Sequence, residues 1–154
     1  MIKVAVENPH QDDIAALLRQ SDAVAAALYP GAFRRAITPA SLDATEISLF
    51  VARIAGRAVG CCALFERGDG TAEIKRMIVD EGHRGSGAGA ALLAALEAEA
   101  QRRCVHTLLL EVGIRNVAAY ALYCRAGFTP CAAFAAYTAD PISRFLAKSI
   151  ADKG

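Results

Sequence analysis

Arg84-Gly85-Ser86-Gly87-Ala88-Gly89 stands between an expected strand, Thr71 to Val79, and a helical pattern that begins inside the glycines themselves. Three glycines in five positions remove side chains where the backbone must come close to something. They also permit the positive φ angles that let successive N–H groups converge on an anion. The helix start that follows adds free N–H groups and the positive end of its dipole. Together these features describe a pyrophosphate cradle, with Arg84 as an optional cationic partner. A glycine-rich turn that merely opens a helix has the same composition, so the surrounding chain must separate the two.

The same segment satisfies G-x-G-x-x-A at Gly85, Gly87 and Ala90, a dinucleotide-binding fingerprint, and Glu111 lies about where a ribose-binding acid would stand. Two observations weigh against that alternative. The first fingerprint glycine should follow its strand at once, whereas Asp80 to Arg84 intervene, and the chain is too short for a doubly wound sheet.

Upstream of the loop, Ile47 to Ile54 and Ala58 to Phe65 are apolar and partly β-branched, and Ala55-Gly56-Arg57 between them fits a tight hairpin. A second turn, Arg67-Gly68-Asp69-Gly70, leads into Thr71 to Val79, so three consecutive antiparallel strands are expected. Before them, a strand at Ile2 to Val6 precedes Gln11-Asp12-Asp13 and an amphipathic run carrying Ile14, Leu17, Leu18, Val24 and Leu28. Pro30-Gly31 stops that run, which makes one or two helices, and Pro30 to Thr45 reads as a surface loop. Downstream, a helix from about Gly87 to Arg103 presents Leu92, Leu93, Leu96 and Ala100 on one face. A strand at Thr107 to Val112, a shorter helix from about Asn116 to Arg125, and a β pair at Phe128 to Phe134 and Ile142 to Ser149 complete the chain. The order predicts an α+β fold in one domain over residues 1–154: a mixed, mostly antiparallel sheet flanked by helices.

Composition closes off several function classes. With 55% hydrophobic and 21% charged residues the chain folds around a core rather than remaining disordered. Seventeen basic against 16 acidic side chains leave a net charge of +1, too little to gather nucleic acid or an anionic membrane surface. No apolar run approaches the roughly 18 residues of a membrane span, and Met1 to Asn8 lacks a signal-peptide layout, so a cytoplasmic protein is expected. Five cysteines (Cys61, Cys62, Cys104, Cys124, Cys131) are odd in number and contain no C-x-x-C pair, which argues for reduced, partly buried thiols and against a disulfide framework or a metal site.

Read as Arg-x-x-Gly-x-Gly, residues 84–89 resemble the acyl-CoA pyrophosphate motif of the GNAT N-acetyltransferase superfamily. A second stretch, Asn116-Val117-Ala118-Ala119-Tyr120-Ala121-Leu122-Tyr123-Cys124-Arg125-Ala126-Gly127-Phe128, resembles that family's other signature: an Asn opening a helix, a Tyr near its end, then Ala-Gly-Phe. The resemblance covers roughly residues 47–149, and Leu28-Tyr29-Pro30, Glu73-Ile74-Lys75-Arg76-Met77 and Asp140-Pro141-x-Ser143 are similar to a bacterial subgroup of small acetyltransferases. It implies acetyl-CoA as cosubstrate, a small-molecule amine as acceptor, and allows a homodimer. It further implies that Met77, Ile78 and Val79 offer main-chain groups to the pantetheine arm, one N–H polarising the thioester carbonyl. Arg84, Gly85, Ser86, Gly87, Ala88 and Gly89 would hold the pyrophosphate, Asn116 would contact the cofactor near its pantetheine, and Tyr123 would protonate the departing thiolate. A phenol, with its ordinary pKa near 10, stays protonated at neutral pH and suits that role. Without the flanking motif Tyr123 would read simply as a packed helix-end residue.

An alkylammonium acceptor also has a pKa near 10, so transfer needs a base or a water chain leading to one. Glu73 stands eleven positions before Arg84, the spacing at which some GNAT members carry a glutamate base. Strand alternation would put Glu73, Lys75, Met77 and Val79 on one face and Ile74, Arg76 and Ile78 on the other. The plainer alternative pairs Glu73 with Lys75 or Arg76 as an ion pair. Glu111, ending the apolar run Val105 to Leu110, is a second candidate for base or ammonium contact, and His83 a third. Arg76 invites a carboxylate-bearing substrate. Val112 departs from the subgroup, where a Thr is common, so any role for that hydroxyl is absent. A non-catalytic acyl-CoA-binding or regulatory domain is the competing class. It would need the loop alone, whereas Tyr123, Asn116 and Glu73 are all present.

Overall fold

A computed structural model of the chain describes residues 1–30, 38–134, 137 and 139–151. Strand β1 (Ile2–Glu7) pairs antiparallel with β2 (Ile47–Ile54), which turns into β3 (Arg57–Glu66). The turn is the two-residue Ala55-Gly56, with φ of 51° and 83°, the geometry whose twist matches that of the flanking strands. Arg57, read from sequence as part of the turn, therefore begins β3 opposite Ile54. β4 (Thr71–Val79) completes the meander, and β5 (Thr107–Gly113) lies parallel beside it. A two-residue strand β6 (Thr129–Pro130) and β7 (Ser143–Ser149) finish a seven-stranded sheet of order β1-β2-β3-β4-β5-β7-β6. β4 and β5 are the parallel neighbours among otherwise antiparallel pairs, so the doubly wound dinucleotide alternative does not hold.

One helix, α1 (Asp12–Leu28), covers one face of the sheet, while α2 (Ala88–Arg102) and α3 (Val117–Arg125) cover the other. α1 is continuous, because nothing between Asp12 and Leu28 breaks the backbone ladder, and it buries Ile14, Leu17 and Leu18 against Leu49, Val51, Cys61 and Ala63. On the opposite face Leu92 and Leu96 of α2 lie over Phe50, Cys62, Leu64 and Ile74. β2 and β3 are thus covered twice, which is why they read as nearly unbroken apolar runs. Cys61 and Cys62 are buried in β3 and burial pushes the Cys61 thiol up to about 12, whereas Cys104, Cys124 and Cys131 are exposed.

Two expectations need correction. The strand expected over Phe128 to Phe134 is reduced to Thr129–Pro130: Pro130 supplies no N–H, bonding to β7 ends with the Cys131 N–H on the Phe145 carbonyl at 2.9 Å, and Phe134 turns into a ring cluster with Tyr137 and Phe145. The alternation expected along β4 also breaks. Cys61 faces Ile78 and Ala63 faces Lys75, so Cys62 of β3 opposes two residues of β4, Arg76 and Met77, and Arg76 sits in the resulting bulge at φ 59°. Glu73 and Lys75, opposite Phe65 and Ala63, stay on the α1 face with Ile78, while Ile74, Met77 and Val79 pack toward α2 and α3. Residues 31–37 of the expected surface loop lie outside the described residues. Among the described residues no helix is long and apolar enough to cross a membrane.

Candidate functional site

The parallel pairing of β4 with β5 runs from Thr71 opposite Thr107 to Ile74 opposite Leu110 and stops there, although β4 continues to Val79 and β5 to Gly113. The two strand ends therefore part, leaving main-chain groups of Lys75 to Val79 without a β5 partner. Gly113 permits this arrangement at its far end: a methyl group there would collide with the hydroxyl of Tyr29, which accepts a 2.8 Å bond from the Arg115 N–H and ties the end of α1 to the start of α3.

A cavity of about 1030 Å³ opens beside the wedge. Its walls include Met77, Ile78 and Val79, then Arg84, Gly85, Gly87 and Gly89, and finally Asn116 and its neighbours on α3. Gly85 and Gly87 have φ of 82° and 90°, which bend the loop into the start of α2. Gly87 is the N-cap, one residue before the helix proper, and no side chain caps it, so the first N–H groups of α2 lack an intrahelical acceptor. Gly89 has a different reason to be glycine: a Cβ there would lie 2.8 Å from Leu122, so it lets α2 and α3 approach closely. Of the loop residues singled out from sequence, Arg84, Gly85, Gly87 and Gly89 line the cavity, and Ser86 and Ala88 do not. The Ser86 N–H is donated to the His83 carbonyl at 3.2 Å, and Ala88 is buried in the core.

Asn116 is the N-cap of α3, and its Oδ1 is buried with no hydrogen-bond partner among the described residues. A buried amide oxygen left unpaired costs about 1–3 kcal/mol, which a bound group carrying an N–H would recover. The orphaned acceptor, the uncapped helix start and the glycine cradle together fit a long ligand with an anionic end and an amide-bearing arm.

A second cavity of about 250 Å³ lies on the α1 side of the wedge and shares Met77, Ile78, Asn116 and Ala119 with the first. Here the structure brings together Glu73, Arg76, Glu111 and Tyr123 from the sequence-derived set, and adds Lys75, Ser21 and Tyr137. Glu73 is 5% exposed; the Tyr137 hydroxyl donates to its Oε2 at 2.7 Å, and Lys75 Nζ lies 3.9 Å from Oε1. Arg76, by contrast, donates through Nη1 to Asp22 of α1 at 3.3 Å, so it is not the partner of Glu73. Burial, with the bond to Glu73 behind it, raises the Tyr137 phenol well above its ordinary value. Tyr123, also buried, packs edge-on against Phe128 at 5.9 Å, and desolvation raises its phenol strongly, so it stays protonated throughout the neutral range. Glu111 is exposed at the mouth of this cavity.

His83 lines neither cavity. Its Nδ1 sits 2.9 Å from Asp80 Oδ2, and Asp80, held below the usual carboxylate range by His83 and then Gln20, braces the loop against α1. Val112 is buried as an apolar wall of the small cavity. Tyr137 escaped the sequence reading because Phe134-Ala135-Ala136-Tyr137 has no periodicity; an aromatic hydroxyl in a run of alanines was the only signal.

Comparison with known proteins places these features in a common setting. The acetyltransferase (GNAT) family profile matches residues 15–128. An IAA acetyltransferase of Azospirillum brasilense is 34% identical over 150 residues, which covers 97% of this chain and 98% of that relative. Among solved structures, a Klebsiella pneumoniae protein assigned as an acyl-CoA N-acyltransferase is 37% identical with a TM-score of 0.83, covering 97% of this chain and 98% of that one. A Thermoplasma acidophilum PaiA N-acetyltransferase in complex with coenzyme A has a TM-score of 0.77 at 15% identity, over 97% of this chain and 99% of that one, a likeness of fold.

Proposed function

The chain belongs to the acetyltransferase (GNAT) family and is an acetyl-CoA-dependent N-acetyltransferase, and on that premise we propose that it acetylates the primary amine of a small molecule, with Glu73 as base and Tyr123 as acid. The observation that carries this reading is the junction of the two cavities across the unpaired ends of β4 and β5, where Met77 and Asn116 belong to both. Acetyl-CoA, when bound, supplies the thioester. Amides of the glycine loop and the start of α2 bind its pyrophosphate, and Arg84 adds a charge from the rim. Asn116 Oδ1 would accept from a pantetheine amide, and main-chain groups of Met77 to Val79 on the side without a β5 partner would hold the arm and offer an N–H to the thioester oxygen.

Glu73 takes a proton from the substrate ammonium, directly or through one water, and the free amine so formed attacks the thioester carbonyl from the opposite side of the wedge, the N–C bond forming as the C–S bond breaks. Its burial and its bond from Tyr137 keep the carboxylate in one orientation. Tyr123 gives its phenolic proton to the thiolate and regains one from the acylated nitrogen through water, a role supported by its burial in the wall of the small cavity, which shares Asn116 and Ala119 of the same segment with the large one. Arg76 and Glu111 form the acceptor side.

The test is a panel of amines, including free amino acids, polyamines and aminoglycosides, assayed for CoA thiol release, alongside calorimetry of acetyl-CoA. We expect binding near one per chain and CoA release with at least one small amine. Tyr123→Phe should bind acetyl-CoA normally and lose about 10²-fold or more in kcat, the usual weight of a general acid. Binding without release across the whole panel would support a binding module instead, and an unchanged kcat in Tyr123→Phe would remove the acid role.

A further inference from the structure

We propose that the acceptor is a small aminocarboxylate, its ammonium facing Glu73 and Glu111 and its carboxylate held by Arg76; this rests on the N-acetyltransferase reading above. The small cavity carries two carboxylates and two cations, Glu73 and Glu111 against Lys75 and Arg76. A purely cationic acceptor would gain from the first pair and be repelled by the second, whereas a zwitterion matches both. At about 250 Å³ the space is smaller than the roughly 300–1,000 Å³ of sites for drug-sized ligands, so a polyamine chain or an aminoglycoside would not be enclosed.

The two cations are not equivalent. Lys75 is already engaged, 3.9 Å from Glu73, 4.8 Å over the Phe65 ring and 5.8 Å over the Tyr137 ring. Arg76 makes one bond among the described residues, Nη1 to Asp22 at 3.3 Å, and its other donors are unengaged there. It occupies the β4 bulge at φ 59°, a left-handed conformation that a non-glycine residue adopts at a cost. The bulge sends the side chain to the α1 face instead of the opposite one, and so into the cavity wall. A planar guanidinium that keeps N–H groups unengaged among the described residues, in a small and largely buried site, is suited to a carboxylate, which it can bind through two parallel bonds. The strain at Arg76 thus positions a recognition group.

The experiment compares matched substrates that differ only in the carboxylate: leucine against isopentylamine, and β-alanine against ethylamine, with rates referred to the free-base fraction at each pH. The expected result is a kcat/KM at least about tenfold higher for at least one amino acid than for its decarboxylated partner, the weight of a charge-assisted bond. Arg76→Gln should bring that ratio toward one, mainly by raising KM for the amino acid, and Arg76→Lys should restore part of it. Because the ratio is taken within each variant, a partial loss of folded protein does not alter it. Equal or faster acetylation of the amines, or a ratio unchanged in Arg76→Gln, overturns the proposal and leaves the N-acetyltransferase reading standing. CoA release from neither class, with acetyl-CoA bound, overturns that reading and the proposal together.

Discussion

Glu73 is a buried carboxylate on β4, and among the described residues its one hydrogen-bond donor is the Tyr137 hydroxyl at 2.7 Å. Such a group is costly to bury unless it is used or fully paired. If it accepts the proton of the ammonium, Glu73→Gln removes the acceptor but leaves the shape. An amine with a pKa near 10 is about one part in a thousand free base at pH 7, and that fraction rises about tenfold per pH unit. The kcat/KM of Glu73→Gln should therefore be depressed by about 10²-fold at pH 7 and approach the parent value by pH 9.5; a deficit that stays constant with pH would mean a structural role. Glu73, Tyr123 and Asn116 were singled out by the resemblance to the GNAT signatures, and the structure brings all three to the small cavity. Tyr137 was not legible: it meets Glu73 through a tertiary contact between residues 64 positions apart.

At the scale of elements, the glycine loop divides its labour in a way composition does not show. Gly85 and Gly87 are there for positive φ, and Gly89 for the approach of α2 to α3. At Gly87 an added Cβ meets nothing closer than Ile2 at 3.9 Å, so Gly87→Ala is strained by conformation alone, at φ 90°. Left-handed strain of this kind costs about 1–2 kcal/mol. We expect Gly87→Ala to fold with a lowered Tm and to raise the KM for acetyl-CoA severalfold; an unaltered KM would detach the loop from the cofactor. The β4 bulge is the other element-level device. An alternating pattern in sequence assumes an unbroken strand, and one extra residue at Arg76 reverses every face beyond it, placing Met77 and Val79 opposite to Glu73. No local signal marks that bulge, since Arg is an ordinary strand-surface residue.

Across the whole molecule, Arg53 joins β1, the start of α1 and the β2–β3 turn. It donates to Glu7 at 2.8 Å, to Asp13 at 2.9 Å, to Gln11 at 3.0 Å and to the Gly56 carbonyl at 2.9 Å. Its bonds hold Glu7 below the usual carboxylate range. A lowered folded-state pKa stabilises above the unfolded value, near 4.3, and that contribution is lost as pH falls through the folded one. Arg53→Ala should cost about 1–2 kcal/mol at pH 7, and the gap in Tm between parent and variant should shrink below about pH 4. A gap that is constant down to pH 3 would assign the loss to packing. The sequence by itself determined the element order, the hairpin and the glycine-rich turn that opens α2, because these depend on local backbone preferences, and its two GNAT signatures carried the class of chemistry. Tertiary structure alone decided where β4 and β5 part, which face Glu73 and Arg76 occupy, and that Tyr137 closes on Glu73. Those outcomes depend on strand register and on contacts between residues distant in the chain, where the free energy comes from packing that no local window contains.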